Sequence, residues 1–547
     1  MSLRIALCYA NRPAVGHTNL GFALVRSLLE AESDCLVTEH FLTRERTPGR
    51  LLRQQDLVVA SVPFEGDYQN LVKLLVDGEV EPLARRRTLG PLVLVGGMAP
   101  TLNPEPLAEI ADLLAIGDAE GLLPELAQQL FPLLRSGADR TALLEAASEI
   151  AGVYLPARYG FEFGEDGSVE SIQDLWGARV PALVPRRWIK TLESGPGPLV
   201  SDEEIFAGCA VVEATRGCLW GCRFCAAGFV QRPYRERALE PLWEDVQQAL
   251  ALRPRVGLVG ADLGDHSSLR ELAARIHQAG ATLTPSALRA TAVDEELARA
   301  LAWSGKKTAT LAPEAGSERL RYSINKQIDD AALLLAVDRL AAAGIESIRL
   351  YFLLGLPGEQ DSDVEAIADL ALACRQHLLE GARQHGRVGR LTLSVTPFVP
   401  KPATPFQWEP FIDDRILRRR ARLLRKRLDR VDNLELRIDS ANQAREQAIL
   451  SRGDRRLGPL LVQAVSSGRD LLEILLEHPE VTAQTLGGFA EDSILPWQQV
   501  DHGVGRAFLL RERRRALQGT ITPPCDLATC SACELRCART QEPEPRR

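Results

Sequence analysis

Cys218-Leu219-Trp220-Gly221-Cys222-Arg223-Phe224-Cys225 places three thiols within eight residues. It follows an apolar run, Ala210–Thr215, that reads as a strand, so the thiols fall on a strand-end loop. Three thiolates are one ligand short of a four-cysteine cluster site and one short of a closed zinc site. An open coordination position is where a small molecule binds and reacts, so the spacing points to a reactive metal centre. A structural zinc whose fourth ligand lies elsewhere in the chain is the competing reading.

Outward from this loop, residues 206–400 alternate strands with helices. The strand candidates are Ala210–Thr215, Arg255–Gly260, Thr282–Ser286, Thr308–Leu311, Ser347–Leu354 and Arg390–Thr396. Six βα units predict a partial (β/α)6 barrel, whose working residues belong at the C-terminal ends of the strands.

Cys-x-x-x-Cys-x-Phe-Cys resembles the signature of the radical S-adenosylmethionine (SAM) superfamily. The resemblance implies that Cys218, Cys222 and Cys225 hold a 4Fe–4S cluster whose fourth iron binds the amino and carboxylate groups of SAM. An electron from the cluster then cleaves the sulfonium and releases a 5′-deoxyadenosyl radical. The order of strand-end motifs extends the likeness over most of residues 209–400. Gly260 and Ala261 stand where the family has a Gly-Gly-Glu-like turn that meets the SAM amino group, and this chain departs from that pattern. Ser286 stands at the edge that meets the ribose. Glu314 and Arg319 suit the zwitterionic end of SAM, since a guanidinium holds a carboxylate by two parallel bonds. A helix N-terminus with Arg319 on a solvated face explains the same residues without a ligand. Gly355 opens Gly355-Leu356-Pro357-Gly358-Glu359, which resembles the loop that packs on adenine. No side chain is assigned to the catalytic steps themselves.

Residues 1–150 read as a doubly wound, Rossmann-like α/β domain. Its strand candidates are Leu3–Tyr9, Cys35–Phe41, Asp56–Val62, Pro91–Val95 and Leu113–Ile116. It resembles the cobalamin-binding-like domain that precedes the radical core in many family members, through Val-Gly-Gly-x-x-Pro-Thr and Ile-Gly-Asp-x-Glu. The Asp-x-His-x-x-Gly motif that gives cobalt a histidine is absent, and His17 has the wrong context. The resemblance leaves open whether the domain binds cobalamin or has kept only the fold. Residues 151–205 are rich in Pro and Gly and read as a linker with one small hairpin, Val153–Phe163 with Val169–Ile172.

Residues 401–547 read as a mostly helical accessory region. Arg415–Arg430 is a helix with a dense basic face. It is either an RNA-binding surface or a solvated helix packed on the barrel, the second favoured by the acidic chain. Ser451–Arg456 is a second basic turn. The tail carries Cys525, Cys530, Cys533 and Cys537, a four-thiol set that suits a second 4Fe–4S cluster or a zinc ion.

The chain has 547 residues and a formal net charge of −8, so no global basic field draws it to nucleic acid or anionic lipid. Neither a signal peptide nor a membrane-spanning run is legible, so a reduced, cytoplasmic setting is expected, with its eleven cysteines as ligands or buried apolar groups rather than disulfides. The expected activity is reductive SAM cleavage, with a flavodoxin or ferredoxin as reductant and no membrane partner. Its outcome is cobalamin-dependent methyl transfer to an unactivated carbon, or (methyl)thiolation of RNA or protein through the tail cluster. A non-catalytic metal protein that binds RNA is the alternative from another class.

Overall fold

The structure is a computed structural model and describes residues 2–43, 51–177, 182–193, 195–201, 206–303, 307–529, 533 and 535. It divides into two compact units, one of residues 1–190 with 445–503, the other of residues 191–444 with 504–547.

The first unit is built on five short strands, the inner ones runs of branched and apolar residues that favour burial on both faces, the edge strand Cys35–Phe41 more polar and partly exposed. They are Leu3–Tyr9 (β1), Cys35–Phe41 (β2), Leu57–Ser61 (β3), Leu92–Gly96 (β4) and Leu113–Ala115 (β5). They pair in parallel in the order β2-β1-β3-β4-β5, and Val153–Tyr154 (β6) adds an antiparallel edge. Alternate residues of β1 serve opposite cores: Leu3, Ile5, Leu7 and Tyr9 face one, Ala6 and Cys8 the other. The helices Leu20–Ala31 (α1) and Ala119–Ser136 (α3) contribute to the first core, and Tyr68–Asp77 (α2) to the second.

Residues 445–503 complete the second core. Leu457, Leu460, Leu461 and Ala464, from the helix Leu457–Ser467, join Leu71, Val72 and Leu75 of α2. The basic turn Ser451–Arg456 is therefore internal to the unit. Arg452 is fully buried, and Asn103 Nδ2 donates to the Ser451 and Gly453 carbonyls at 3.1 and 2.8 Å. Arg455 donates to both oxygens of buried Glu105 at 2.8 and 2.9 Å, and Tyr154 donates to the same carboxylate. The hairpin of the connecting region forms as Tyr159–Phe163 with Val169–Asp174.

In a sheet of this order ligands bind beyond the carboxyl ends, at the switch point between β1 and β3. There Asn11 Nδ2 donates to Asp67 at 2.8 Å, and Gln447 Nε2 donates to Glu65 at 3.2 Å. At the β4–β5 end the glycines admit the chain's own backbone. A Cβ on Gly97 would meet the Val62 carbonyl at 2.5 Å, and one on Gly117 the Arg187 carbonyl at 2.0 Å.

In the second unit Leu199–Ser201 (β7) lies antiparallel to Cys209–Glu213 (β8). Parallel pairing then runs through Arg255–Val259 (β9) and Thr282–Pro285 (β10). A bridge between Leu288 and Leu311 carries the sheet on to Thr308–Glu314 (β11), Ser347–Leu354 (β12), Arg390–Pro397 (β13) and Leu434–Ile438 (β14). Seven parallel strands thus stand where the sequence shows six, the addition being β14. Among the described residues no pairing joins β14 to β7, so the sheet is an open partial barrel. Its apolar side is packed with residues from the helices Leu239–Leu252 (α4), Leu269–Gln278 (α5), Glu295–Trp303 (α6), Asp330–Ala343 (α7), Asp361–Arg383 (α8) and Asp414–Leu428 (α9).

The arginine-rich α9 is amphipathic. Leu417, Leu424 and Leu428 are buried, and part of its charge is matched by acids within α8 and just before it. Arg420 meets Glu359 at 2.7 Å, Arg419 meets Asp361 at 2.9 Å, and Arg427 pairs with Asp369. A last helix, Arg506–Leu517 (α10), leads to the tail.

Candidate functional site

The cysteine loop leaves β8 at its carboxyl end, as the βα pattern requires. Thr215–Arg216 pairs antiparallel with Arg235–Glu236 and closes the base of the loop. Gly217 has a φ of 81°, and a Cβ there would meet the Gln231 carbonyl at 2.5 Å, so only glycine fits that turn. Inside the loop, Arg223 is fully buried. It donates to the Ser323 and Thr520 carbonyls, both at 2.7 Å, and pairs with Glu512 at 3.2 Å. Phe224 packs on an apolar cluster that includes Leu320, Ile324, Phe398 and Phe406. The loop is thus nailed down by the residues between its cysteines, which leaves the thiols to a ligand.

The Cys218 sulfur accepts the Trp220 amide at 3.4 Å and lies 3.4 Å from Asp262 Oδ2, which also accepts the Leu219 amide at 3.2 Å. The Cys222 sulfur is 3.9 Å from the Asn325 carbonyl, and the Cys225 amide donates to the Cys222 carbonyl at 3.0 Å. Burial raises the Cys218 and Cys225 thiols, and the other sulfurs of the loop add to the rise. A cation bound by Cys218 and Cys225 offsets the cost of ionising them. Among the described residues, no group of three or more His, Cys, Asp or Glu is gathered for a single ion. Three thiols on one strand-end loop are the donor type that a 4Fe–4S cluster takes, so the chemistry of the donor set fits that group.

Around the thiols stand the ends of the next strands. Gly260 follows β9, and a Cβ there would meet the Thr215 hydroxyl at 2.0 Å. The Ser286 hydroxyl, after β10, donates to the Gly260 carbonyl at 3.0 Å, so these two are brought together. Ala261 lies between Gly260 and Asp262 at the same strand end. Burial and the adjacent Asp265 push Asp262 up to about 7. Trp220 Nε1 donates to Asp265 at 2.5 Å, and the Arg289 guanidinium lies 3.7 Å above the Trp220 ring.

Glu314 ends β11 with a φ of 71°, a left-handed conformation that costs a non-glycine residue about 1–3 kcal/mol. Its carboxylate is 3.2 Å from Lys326 Nζ, and both are largely buried. Burial raises Glu314, opposed by Lys326 and Arg289. Lys326 is lowered by its own burial, but Glu314 and the Cys222 sulfur outweigh this and hold it above its ordinary value. The cation beside Glu314 is therefore Lys326, not Arg319. Arg319 turns away on the outer side of the short helix Glu318–Ser323, half exposed. It donates to the Gly358 carbonyl at 3.0 Å and pairs with Asp363 at the start of α8. Gly355 has a φ of 97°, and its amide donates to Glu359 at 2.7 Å; a Cβ there would crowd Ile412 at 2.9 Å. Its close approach is thus already taken by the chain.

Lys326, Arg289 and Arg223 are absent from the sequence-derived site. The signal for Lys326 was a lysine set between isoleucines in Ile324-Asn325-Lys326-Gln327-Ile328, on a turn where Asn325 and Gln327 both have positive φ.

The tail docks on the cysteine loop. The Cys525 amide donates to the Leu219 carbonyl at 2.8 Å, and Asn325 links Thr522 to Gly221. Cys533 is buried, and Cys530 and Cys537 lie outside the described residues. Among the described residues no helix is long and apolar enough to cross a membrane.

Known proteins bear on this arrangement. Residues 212–371 match the family profile for the radical SAM superfamily, and residues 37–156 that for the N-terminal region of radical SAM proteins. An uncharacterized protein of Methanocaldococcus jannaschii is 26% identical over 503 residues, 91% of this chain and 99% of the relative. Among solved structures, the cobalamin-dependent SAM radical enzyme OxsB with aqua-cobalamin bound is 15% identical. That match covers 68% of this chain with a TM-score of 0.44, and the chain spans 52% of that protein's length. The same enzyme with aqua-cobalamin and SAM bound matches at 14% identity over 87% of this chain and 72% of that one, with a TM-score of 0.49. Streptococcus suis SuiB bound to SAM matches at 13% identity over 42% of this chain and 49% of that one, with a TM-score of 0.29. The superfamily implies a 4Fe–4S cluster, SAM and an electron donor for an enzyme of this kind. With its three-cysteine loop at the first strand end of an open βα barrel, and with both family profiles matched in order along it, the chain belongs to the radical SAM superfamily.

Proposed function

We propose that the chain is a transferase that cleaves SAM reductively and directs the radical at an unactivated carbon of its substrate. The observation that carries this reading is the buried Glu314–Lys326 pair beside the three thiols at the carboxyl end of the barrel. When bound at Cys218, Cys222 and Cys225, the cluster supplies the electron that breaks the sulfonium bond. The chain's own part is to hold SAM. A zwitterion can exchange partners with an internal ion pair, its carboxylate taken by Lys326 and Arg289 and its ammonium by Glu314. The Gly260–Ala261 backbone and Ser286 border the same strand ends, and Gly355 closes the far side. Arg319, turned toward Asp363, serves helix α8 rather than SAM.

Carbon methylation is the outcome of this chemistry if the first unit carries cobalamin. The visible spectrum of protein expressed with cobalamin tests that: a co-purifying corrin chromophore supports methyl transfer, and its absence assigns the radical to cobalamin-free transfer. The docking of Cys525 on Leu219 favours a second reading, in which the tail cysteines hold a second metal beside the first for thiolation or methylthiolation. Iron and zinc analysis of the reconstituted protein separates one cluster from two, with Cys533→Ser as the control.

The primary test is anaerobic. Reconstituted wild-type protein given SAM and dithionite should release 5′-deoxyadenosine, and Cys222→Ala should release none. Equal release by both would remove the loop from the reaction.

A further inference from the structure

In a closed β/α barrel the lumen is filled with branched apolar side chains. Here strands β11 to β14 alternate instead. Ile348, Leu350, Phe352 and Leu354 of β12 are buried in the core shared with the helices, while Arg349, Tyr351 and Leu353 on the other face stay half exposed. The neighbouring strands keep step, so the inner face can be read in rows. Thr310, Arg349, Thr392 and Glu435 stand side by side across the four strands, and Tyr351, Ser394 and Arg437 form the next row toward the carboxyl ends. On the opposite half of the sheet, a Cβ at Gly257 of β9 would meet the Phe206 ring at 2.5 Å, so the chain itself fills the space there.

Most charges on this face are matched. Glu435 is held by Arg437 at 2.9 Å, and the Thr396 hydroxyl donates to Asp439 at 2.6 Å. Arg349 also attracts Glu435, which Arg437 and Arg390 share, so cations outnumber acids here, and the Arg349 Nε is buried with no hydrogen-bond partner. A buried guanidinium N–H without an acceptor is costly, and native proteins keep such a group where something supplies the acceptor.

We propose that the substrate is a polar molecule whose carboxylate or phosphate pairs with Arg349 on the inner face of β11 to β14. This rests on the radical reading of the cysteine loop. Thr310 and Thr392 flank Arg349 in its row, and Tyr351 and Ser394 stand in the next row toward the strand ends. Arg349 lies four residues before Leu353, about 13 Å at the rise of a strand. The anionic group therefore sits on the order of 10 Å from the carboxyl ends of the strands.

The test uses the full-length, cluster-reconstituted protein with SAM, titrated calorimetrically with inorganic phosphate and, separately, with acetate. Wild type should bind one of them saturably, phosphate marking a phosphorylated substrate and acetate a carboxylate. Arg349→Gln should weaken that binding at least tenfold, Arg349→Lys should recover part of it, and Thr392→Val should weaken it several-fold. Circular dichroism checks the fold of each variant. No saturable binding by wild type up to 50 mM, or equal binding by Arg349→Gln, overturns the proposal. Failure of the radical reading shows separately, as absence of 5′-deoxyadenosine from wild type.

Discussion

Lys326 shows how much one buried charge decides. Its ammonium neutralises Glu314 in a place where neither has good access to water. Lys326→Met should leave an unpaired carboxylate and destabilise the second unit by about 3–5 kcal/mol, whereas adding Glu314→Gln to it should recover much of the loss. Urea denaturation measures both, and calorimetry should show weakened SAM binding in each. In the first unit the telling residue is His502. Its Nε2–H donates to the Thr101 carbonyl at 2.9 Å, and burial lowers its pKa from 6.5 to about 4. The unfolded chain takes up this proton first as the pH falls, so the stabilisation is complete above about pH 6.5 and lost on the way down to about pH 4. That is about 3 kcal/mol over the window. His502→Gln should flatten the slope of stability against pH between 4 and 6.5, as followed by denaturant midpoints.

At the scale of elements, the strands were the legible part. Leu3–Tyr9, Cys35–Phe41 and Ser347–Leu354 fall where the sequence places them, because runs of branched apolar residues between turn signals have few other ways to be buried. β14 escaped because Leu434-Glu435-Leu436-Arg437-Ile438 alternates one apolar with one charged residue behind an arginine helix, and so reads as surface. The place of the cysteine loop at a strand end was legible, since its spacing is local and it follows an apolar run, whereas the buried Arg223 that anchors it was not. The Glu314 partner was not. Arg319 is nearer in sequence, but Ser317 caps the short helix that follows β11 and turns Arg319 outward, while the turn after that helix brings Lys326 back. The basic turn at 451–456 misled for a related reason: charge density alone does not reveal that Glu105 awaits Arg455. Truncating that arginine tests its place. Arg455→Ala should strand the Glu105 carboxylate and cost about 3–5 kcal/mol, with loss of the N-terminal unit's cooperative transition in calorimetry.

At the scale of the whole molecule, the chain leaves the first unit at residue 190 and returns to it at 445. Sequence order gave no sign of this return, because the helices of residues 445–503 have apolar faces like any others. Residues 1–190 expressed alone should lack the cover for α2 and bind the dye ANS strongly, and a co-expressed 445–503 peptide should abolish that binding. Equal, low dye binding with and without the peptide would show that the sheet is self-sufficient.

The same return imposes a clock on synthesis. The ribosome makes the N-terminal sheet first, then about 250 further residues before the segment that covers it. At about 5–20 residues per second the nascent sheet waits on the order of ten seconds to a minute with an apolar face open. Over that interval the growing polypeptide is a client for a chaperone, and codons that slow translation across residues 191–444 would lower the yield of folded protein.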